Sequence, residues 1–126
     1  MKNIFMTLFL FIGVILICFF SVRYLNNISD KVYAENTSIK KYIQSENWTK
    51  ANSKSKEMSN QWHIYSNNCS VFVNHTLIDD LSLEEHKLEA YIKTKDKEEA
   101  LASSESIEFL LERIKKLETI NLQNLF

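Results

Sequence analysis

The sequence predicts an all-α protein: an N-terminal transmembrane helix followed by an antiparallel four-helix bundle or two stacked helical hairpins. Three observations carry that expectation. The 126 residues include no proline and a single glycine, Gly13. An all-β domain lacks its turn residues here, and a phosphate-cradling loop lacks its glycines. Residues 4–22, IFMTLFLFIGVILICFFSV, hold no charge. In the remainder, apolar side chains recur at steps of three and four, the spacing of helix faces packed on neighbours.

Length and charge narrow the classes further. The chain suffices for one small domain. Fifteen Lys and Arg against sixteen Asp and Glu leave a net charge of −1. A nucleic-acid partner is therefore not expected, since that needs a basic excess gathered on one face. No cofactor is expected either. Of the two cysteines, Cys18 lies inside the apolar run and Cys69 far beyond it, so an intrachain bridge is not expected. Cys69 has no cationic neighbour to lower its pKa and reads as a small apolar side chain.

A short tail, 1–3, precedes the span at 4–22. Nineteen residues at about 1.5 Å each nearly cover a hydrocarbon core of about 30 Å. A cleaved signal peptide has a shorter apolar core and a small-x-small cleavage site. Phe19 and Ser21 make a poor pair for that site, and Ile17 before Cys18 argues against a lipoprotein signal. An uncleaved single-span anchor is the reading, with membrane lipid as its partner. Lys2 and the amino terminus oppose Arg23 and Lys31 in setting orientation, and their counts nearly tie. The three-residue tail moves nothing bulky, which favours residues 23–126 on the outer face of a bacterial cytoplasmic membrane.

Residues 23–126 form the helical domain. Leu25, Ile28, Val32, Ile39 and Ile43 place a helix over about 24–45, with a turn at 45–47. The second helix, about 47–73, has the clearest seam: Trp48, Ala51, Ser55, Met58, Trp62, Tyr65, Cys69 and Phe72. The third, about 77–94, carries Ile78, Leu81, Leu88 and Ile92, with Glu85 on the same side. The fourth, about 97–119, carries Ala100, Ser104, Ile107, Leu111 and Ile114, and a short C-terminal tail follows. The expected core is Trp48, Ala51, Met58, Trp62, Tyr65, Ile78, Leu81, Leu88, Ile92, Ile107, Leu111 and Ile114. Leu122, Leu125 and Phe126 in the tail are spaced to form one apolar edge, expected to seal the lower end of the domain or dip into the membrane interface.

Helices two and four open alike, with ENWTKAN and KDKEEAL leading to Ala51 and Ala100. That hints at a duplicated hairpin of about fifty residues, longer than the 34-residue tetratricopeptide unit whose Trp-x-x-small opening it resembles. Charge is unevenly shared: residues 23–73 carry seven basic and four acidic side chains, residues 74–126 seven and twelve. Either the two halves pack by complementary charge, or the basic half turns to anionic lipid and the acidic half to a partner.

The stretch richest in chemistry is HTLIDDLSLEEH, residues 75–86. On a helix His75 and Asp79 share a face one turn apart, and His86 points the same way. Eleven residues separate the histidines by roughly 16 Å, too far for one metal ion held at about 2.0–2.1 Å. His63 would have to complete such a site from helix two. Thr76-x-x-Asp79 and Ser82-x-x-Glu85 both have the form of a capping box, and the acidic residues complement a helix start. The polar patch of His75, Asp79 and His86 therefore reads first as capping and a solvated face. No catalytic constellation is visible, so no enzyme is expected.

Several of these segments together resemble one family: a single span, ENWTKA, Trp62, the His75-x-x-Ile78-Asp79 spacing, LEAYIKTKDKEEAL at 88–101 and a closing NLQNLF. It is domain-of-unknown-function family 4363, small membrane-anchored proteins of clostridia-like Gram-positive bacteria. The resemblance covers essentially the whole chain. It implies a helical, membrane-bound protein without assigned activity, and the family motif also places His and Asp at the positions of His75 and Asp79. The chain departs from the family at YSNNCSVFVN, where strong helix formers are usual, so helix two is expected to fray or break before Phe72. The functional expectation is an uncharacterised single-pass protein whose domain is a non-enzymatic interaction module, binding another protein or itself. The alternative is a ligand- or metal-sensing domain using the His75 and Asp79 face.

Overall fold

The computed structural model describes the backbone of residues 1–69 and 75–125. It describes their side chains apart from those of 22, 25, 68, 69 and 118–125. All regular structure among the described residues is helical: α1 (Lys2–Gln44), α2 (Trp48–Cys69), α3 (His75–Lys93) and α4 (Lys97–Leu125).

The expected span at 4–22 and the expected helix at about 24–45 are joined without interruption. α1 is one helix of 43 residues, roughly 65 Å long at 1.5 Å per residue. No proline interrupts it, so nothing removes a backbone donor and the ladder runs on from the apolar run into the domain. For the same reason α4 does not stop near residue 119 but continues to Leu125. The expected apolar edge at Leu122, Leu125 and Phe126 lies outside the described side chains, as does Cys69. The expected break before Phe72 falls within 70–74, also outside the described residues.

Each helix in the folded part packs on two others: α1 on α2 and α4, α3 on α2 and α4. α4 runs back along α1, so that Asp30 meets Lys115 at 2.9 Å while Asn36 meets Ser104. The buried apolar cluster draws on all four helices, with Val32, Ile39, Ile43, Met58, Tyr65, Leu81, Leu88 and Ile107 fully enclosed. Of the expected core residues, Trp48 alone is only half-buried, because it opens α2 at the end of the hairpin.

The two hairpins are copies of each other at a spacing of 49 residues. At the first turn Glu46 N–H donates to the Ile43 carbonyl and Asn47 N–H to the Tyr42 carbonyl. At the second, Lys95 N–H donates to Ile92 and Asp96 N–H to Tyr91. Both are helix ends closed by a residue of positive φ, Glu46 at 59° and Lys95 at 56°, a position that glycine usually fills. Asn47 and Asp96 then cap the next helices, their side-chain oxygens accepting from Lys50 N–H and Glu99 N–H at 3.3 Å each. The buried positions repeat at the same offset, from Val32 and Leu81 through Ala51 and Ala100 to Tyr65 and Ile114.

This turn chemistry gives a measurable prediction. A left-handed conformation costs an L-residue on the order of 1 kcal/mol, part of which glycine returns through its freer unfolded chain. Lys95→Gly is expected to raise the urea midpoint slightly, and Asp96→Ala to lower stability by about 1 kcal/mol through the lost cap. Equal midpoints for the two variants would contradict the turn geometry.

The repeat is imperfect at one buried polar place. Between α1 and α4, Asn36 Nδ2 donates to the Ser104 carbonyl at 2.9 Å, and Ser104 Oγ donates to Asn36 Oδ1 at 3.0 Å. The equivalent pair between α3 and α2 is Glu85 and Ser55. Both are buried, and Glu85 Oε1 and Ser55 Oγ have no hydrogen-bond partner. One half of the molecule thus holds a satisfied amide where the other holds a carboxyl.

Candidate functional site

The His75 stretch opens α3, and its candidate site residues face water. His75, Asp79 and His86 are all exposed, and among the described residues no three His, Cys, Asp or Glu side chains gather around one point. His63, on α2, is exposed and contacts Asn67 Nδ2 at 3.3 Å on its own helix. Thr76 and Asp79 lie inside α3 rather than flanking its start, since the helix already includes His75. The expected capping box is therefore corrected. Ser82 and Glu85 do not cap either: they sit mid-helix and turn inward.

Their inward positions build the α2–α3 contact. Trp62 Nε1 donates to Ser82 Oγ at 2.9 Å, and the Trp62 ring stacks on Tyr65 with centroids 4.9 Å apart. One turn further along α3, Glu85 is 2% exposed. Burial disfavours its charged form and pushes the carboxyl up to about 7 from an ordinary 4.5. The Ser59 hydroxyl pulls against that shift, and the nearby Glu89 charge adds to it. Among the described side chains Glu85 is the one carboxyl in the core.

On the α1–α4 side, ion pairing is superficial. Lys40 reaches Glu105 at 3.2 Å and Glu108 at 3.9 Å. Tyr33 Oη donates to Glu108 Oε1 at 2.8 Å, and that bond holds its phenol above the usual range, with desolvation and the Glu108 charge adding to the effect. Exposed pairs of this kind contribute at most about 1 kcal/mol each.

An open groove of about 530 Å³ lies between α3 and α4, and its walls include Asp80, Leu83, Glu84, Glu105, Phe109 and Leu110. Phe109 is 60% exposed and Leu83 55%, an apolar floor rimmed by carboxylates. Such a surface can bind, but it presents no activated nucleophile and no converging donors for a developing charge. Reading the stripes did not find it. The available signal was Phe109 itself, a large aromatic residue falling between Ile107 and Leu111 and so off the buried face.

The first half of α1 completes the picture. It is long and apolar enough to cross a membrane, and none of its apolar window is buried inside the molecule. Phe5, Phe9, Phe11 and Phe20 all stand more than 60% exposed, an uncovered apolar run of the kind that marks a membrane or protein contact.

These features define a class: an all-helical protein whose first helix is a candidate membrane span running unbroken into a small helical core. Over residues 19–125 the chain matches the family described as Domain of unknown function (DUF4363), and it belongs to that family. Neither a curated protein nor a solved structure matches it.

Proposed function

We propose that this protein is a non-enzymatic interaction module, a four-helix antiparallel bundle held on the outer face of a bacterial membrane by the first part of α1. The observation that supports this best is the continuity of α1. The same helix contributes the exposed apolar run and the buried residues Val32, Ile39 and Ile43. The span and the folded domain are then one rigid body, and the bundle stands at a fixed height and tilt above the lipid. That suits a surface presented to a neighbour better than a tethered enzyme searching for substrate.

The test uses the full chain in native membranes. With both cysteines replaced by serine, a cysteine introduced at Lys95, on the distal turn, is expected to react with a membrane-impermeant thiol reagent in intact cells. The chain is expected to stay in the membrane pellet at alkaline pH. Crosslinking is expected to trap one specific polypeptide, a second copy included. Labelling only after lysis would reverse the orientation, and recovery of uncrosslinked chain with lipid alone would remove the interaction role.

A further inference from the structure

We infer that the partner is a second copy of this chain, whose basic α1 stripe Lys31–Ala34–Lys41 seats against the acidic α4 stripe Glu105–Phe109–Glu112. This deepens the interaction-module reading and rests on its membrane anchor.

All six residues are exposed. On each helix they follow steps of three, four or seven, so each triplet lies along one face. Their heights agree as well. Within a chain α4 descends along α1 so that Ser104 meets Asn36, Glu108 meets Tyr33 and Lys115 meets Asp30. On that scale Phe109 stands level with Ala34, Glu112 level with Lys31, and Glu105 close to Lys41. Copies anchored in one membrane stand in the same direction and at the same height. Moving one sideways against the next therefore brings a Glu–Phe–Glu edge to a Lys–Ala–Lys edge without a vertical shift.

The shapes also alternate. Phe109 projects, and Ala34 offers the smallest side chain that leaves room for it. The 49-residue repeat explains why the two faces differ. The groove between α3 and α4 has its equivalent between α1 and α2, lined by Lys31, Ala34, Glu35, Ser38, Lys54 and Gln61. Asp80 in the first corresponds to Lys31 in the second, Leu83 to Ala34 and Leu110 to Gln61. Duplication has produced two equivalent faces on opposite sides of the domain. Divergence has made one acidic and bulky, the other more basic and small. A contact between unlike faces is head-to-tail and leaves a free face at each end, so it builds rows or rings rather than closed pairs. The charges set register, burial of Phe109 and Leu83 supplies attraction, and confinement to the membrane raises the effective concentration.

Disulfide trapping in native membranes tests this. In a background with Cys18→Ser and Cys69→Ser, Ala34→Cys and Phe109→Cys chains carrying different tags are co-expressed and oxidised. A mixed dimer is expected, at least tenfold above the dimer of either variant alone. Glu105→Lys with Glu112→Lys, added to the Phe109→Cys and Ala34→Cys chains alike, is expected to abolish it. Adding Lys31→Glu and Lys41→Glu to those same chains makes the stripes complementary again and should restore it, a rescue that misfolding would not show. No mixed dimer, a dominant Phe109–Phe109 dimer, or failure of the rescue would overturn the proposal. Trapping of an unrelated polypeptide at Phe109 would overturn it too while leaving the interaction module intact. Loss of the chain from the membrane pellet would instead defeat the anchor on which both rest.

Discussion

Replacing Trp62 with alanine is expected to remove about 3–5 kcal/mol of stability from a domain that has on the order of 5–15 in all. Trp62 is 2% exposed, stacks on Tyr65 and ties α2 to α3 through its bond to Ser82. Truncation opens a cavity across that contact and leaves the Ser82 hydroxyl unpaired in a part-buried place. Thermal melting of the full chain in detergent, followed by circular dichroism, should show a transition that is broad or absent. Trp62→Phe should fall between the two, since it keeps most of the ring and loses only the hydrogen bond. A wild-type melt for the alanine variant would mean that the ring supports nothing.

The second large effect is the opposite in sign: Glu85→Gln is expected to stabilise the protein at and above neutral pH. The folded-state carboxyl titrates near 7 and the unfolded one near its ordinary 4.5. A folded pKa raised above the unfolded value means that the native state favours the proton. Stability from this group is thus complete below about pH 4.5, declines as pH rises, and is lost once pH passes about 7. A shift of that size corresponds to at most about 3 kcal/mol. Glutamine keeps a neutral side chain beside Ser59 at every pH. At pH 8 the variant should therefore gain about 2–3 kcal/mol, or roughly 10 °C or more in melting temperature for a domain of this size. At pH 4 the two proteins should melt together. Parallel curves from pH 4 to 8 would show that Glu85 reaches water.

The Asn36–Ser104 pair gives this prediction its rationale within the molecule. At the equivalent place in the other half, an amide and a hydroxyl satisfy each other in the core. Glu85→Gln moves the α2–α3 contact towards that arrangement. Burying a polar group costs little when it is bonded and much when it is not, and Asn36 and Glu85 Oε1 stand on opposite sides of that line.

Much of the architecture is decided by local rules that a sequence displays. Steps of three and four from Ala51 to Tyr65 and from Ile78 to Ile92 determine which faces turn inward, and every residue of those expected seams with a described side chain is buried or half-buried. Asn47 and Asp96 mark the starts of α2 and α4 because a short side-chain oxygen can accept from the amide three residues on. The similar openings of those two helices already hinted at duplication. The uncharged run at 4–22 identifies the candidate span, since apolar length is a property of the segment alone.

What the tertiary structure decided is every matter that depends on a residue far away in the chain. Glu85 lies on the apolar side by its spacing, but its raised pKa needs α2 pressed against it. Asn36 is an ordinary polar interruption of the α1 stripe until Ser104, 68 positions on, receives it. Thr76 and Asp79 have the spacing of a capping box, yet the helix takes in His75 and so does not start at Thr76. Phe109 cannot be called exposed from its type, because aromatic residues usually find cover. It faces water here because Ile107, Leu111 and Ile114 hold the inner face of α4 and the helix turns position 109 away from them. Periodicity tells a helix which side to bury; only packing tells each buried or excluded side chain what it meets there.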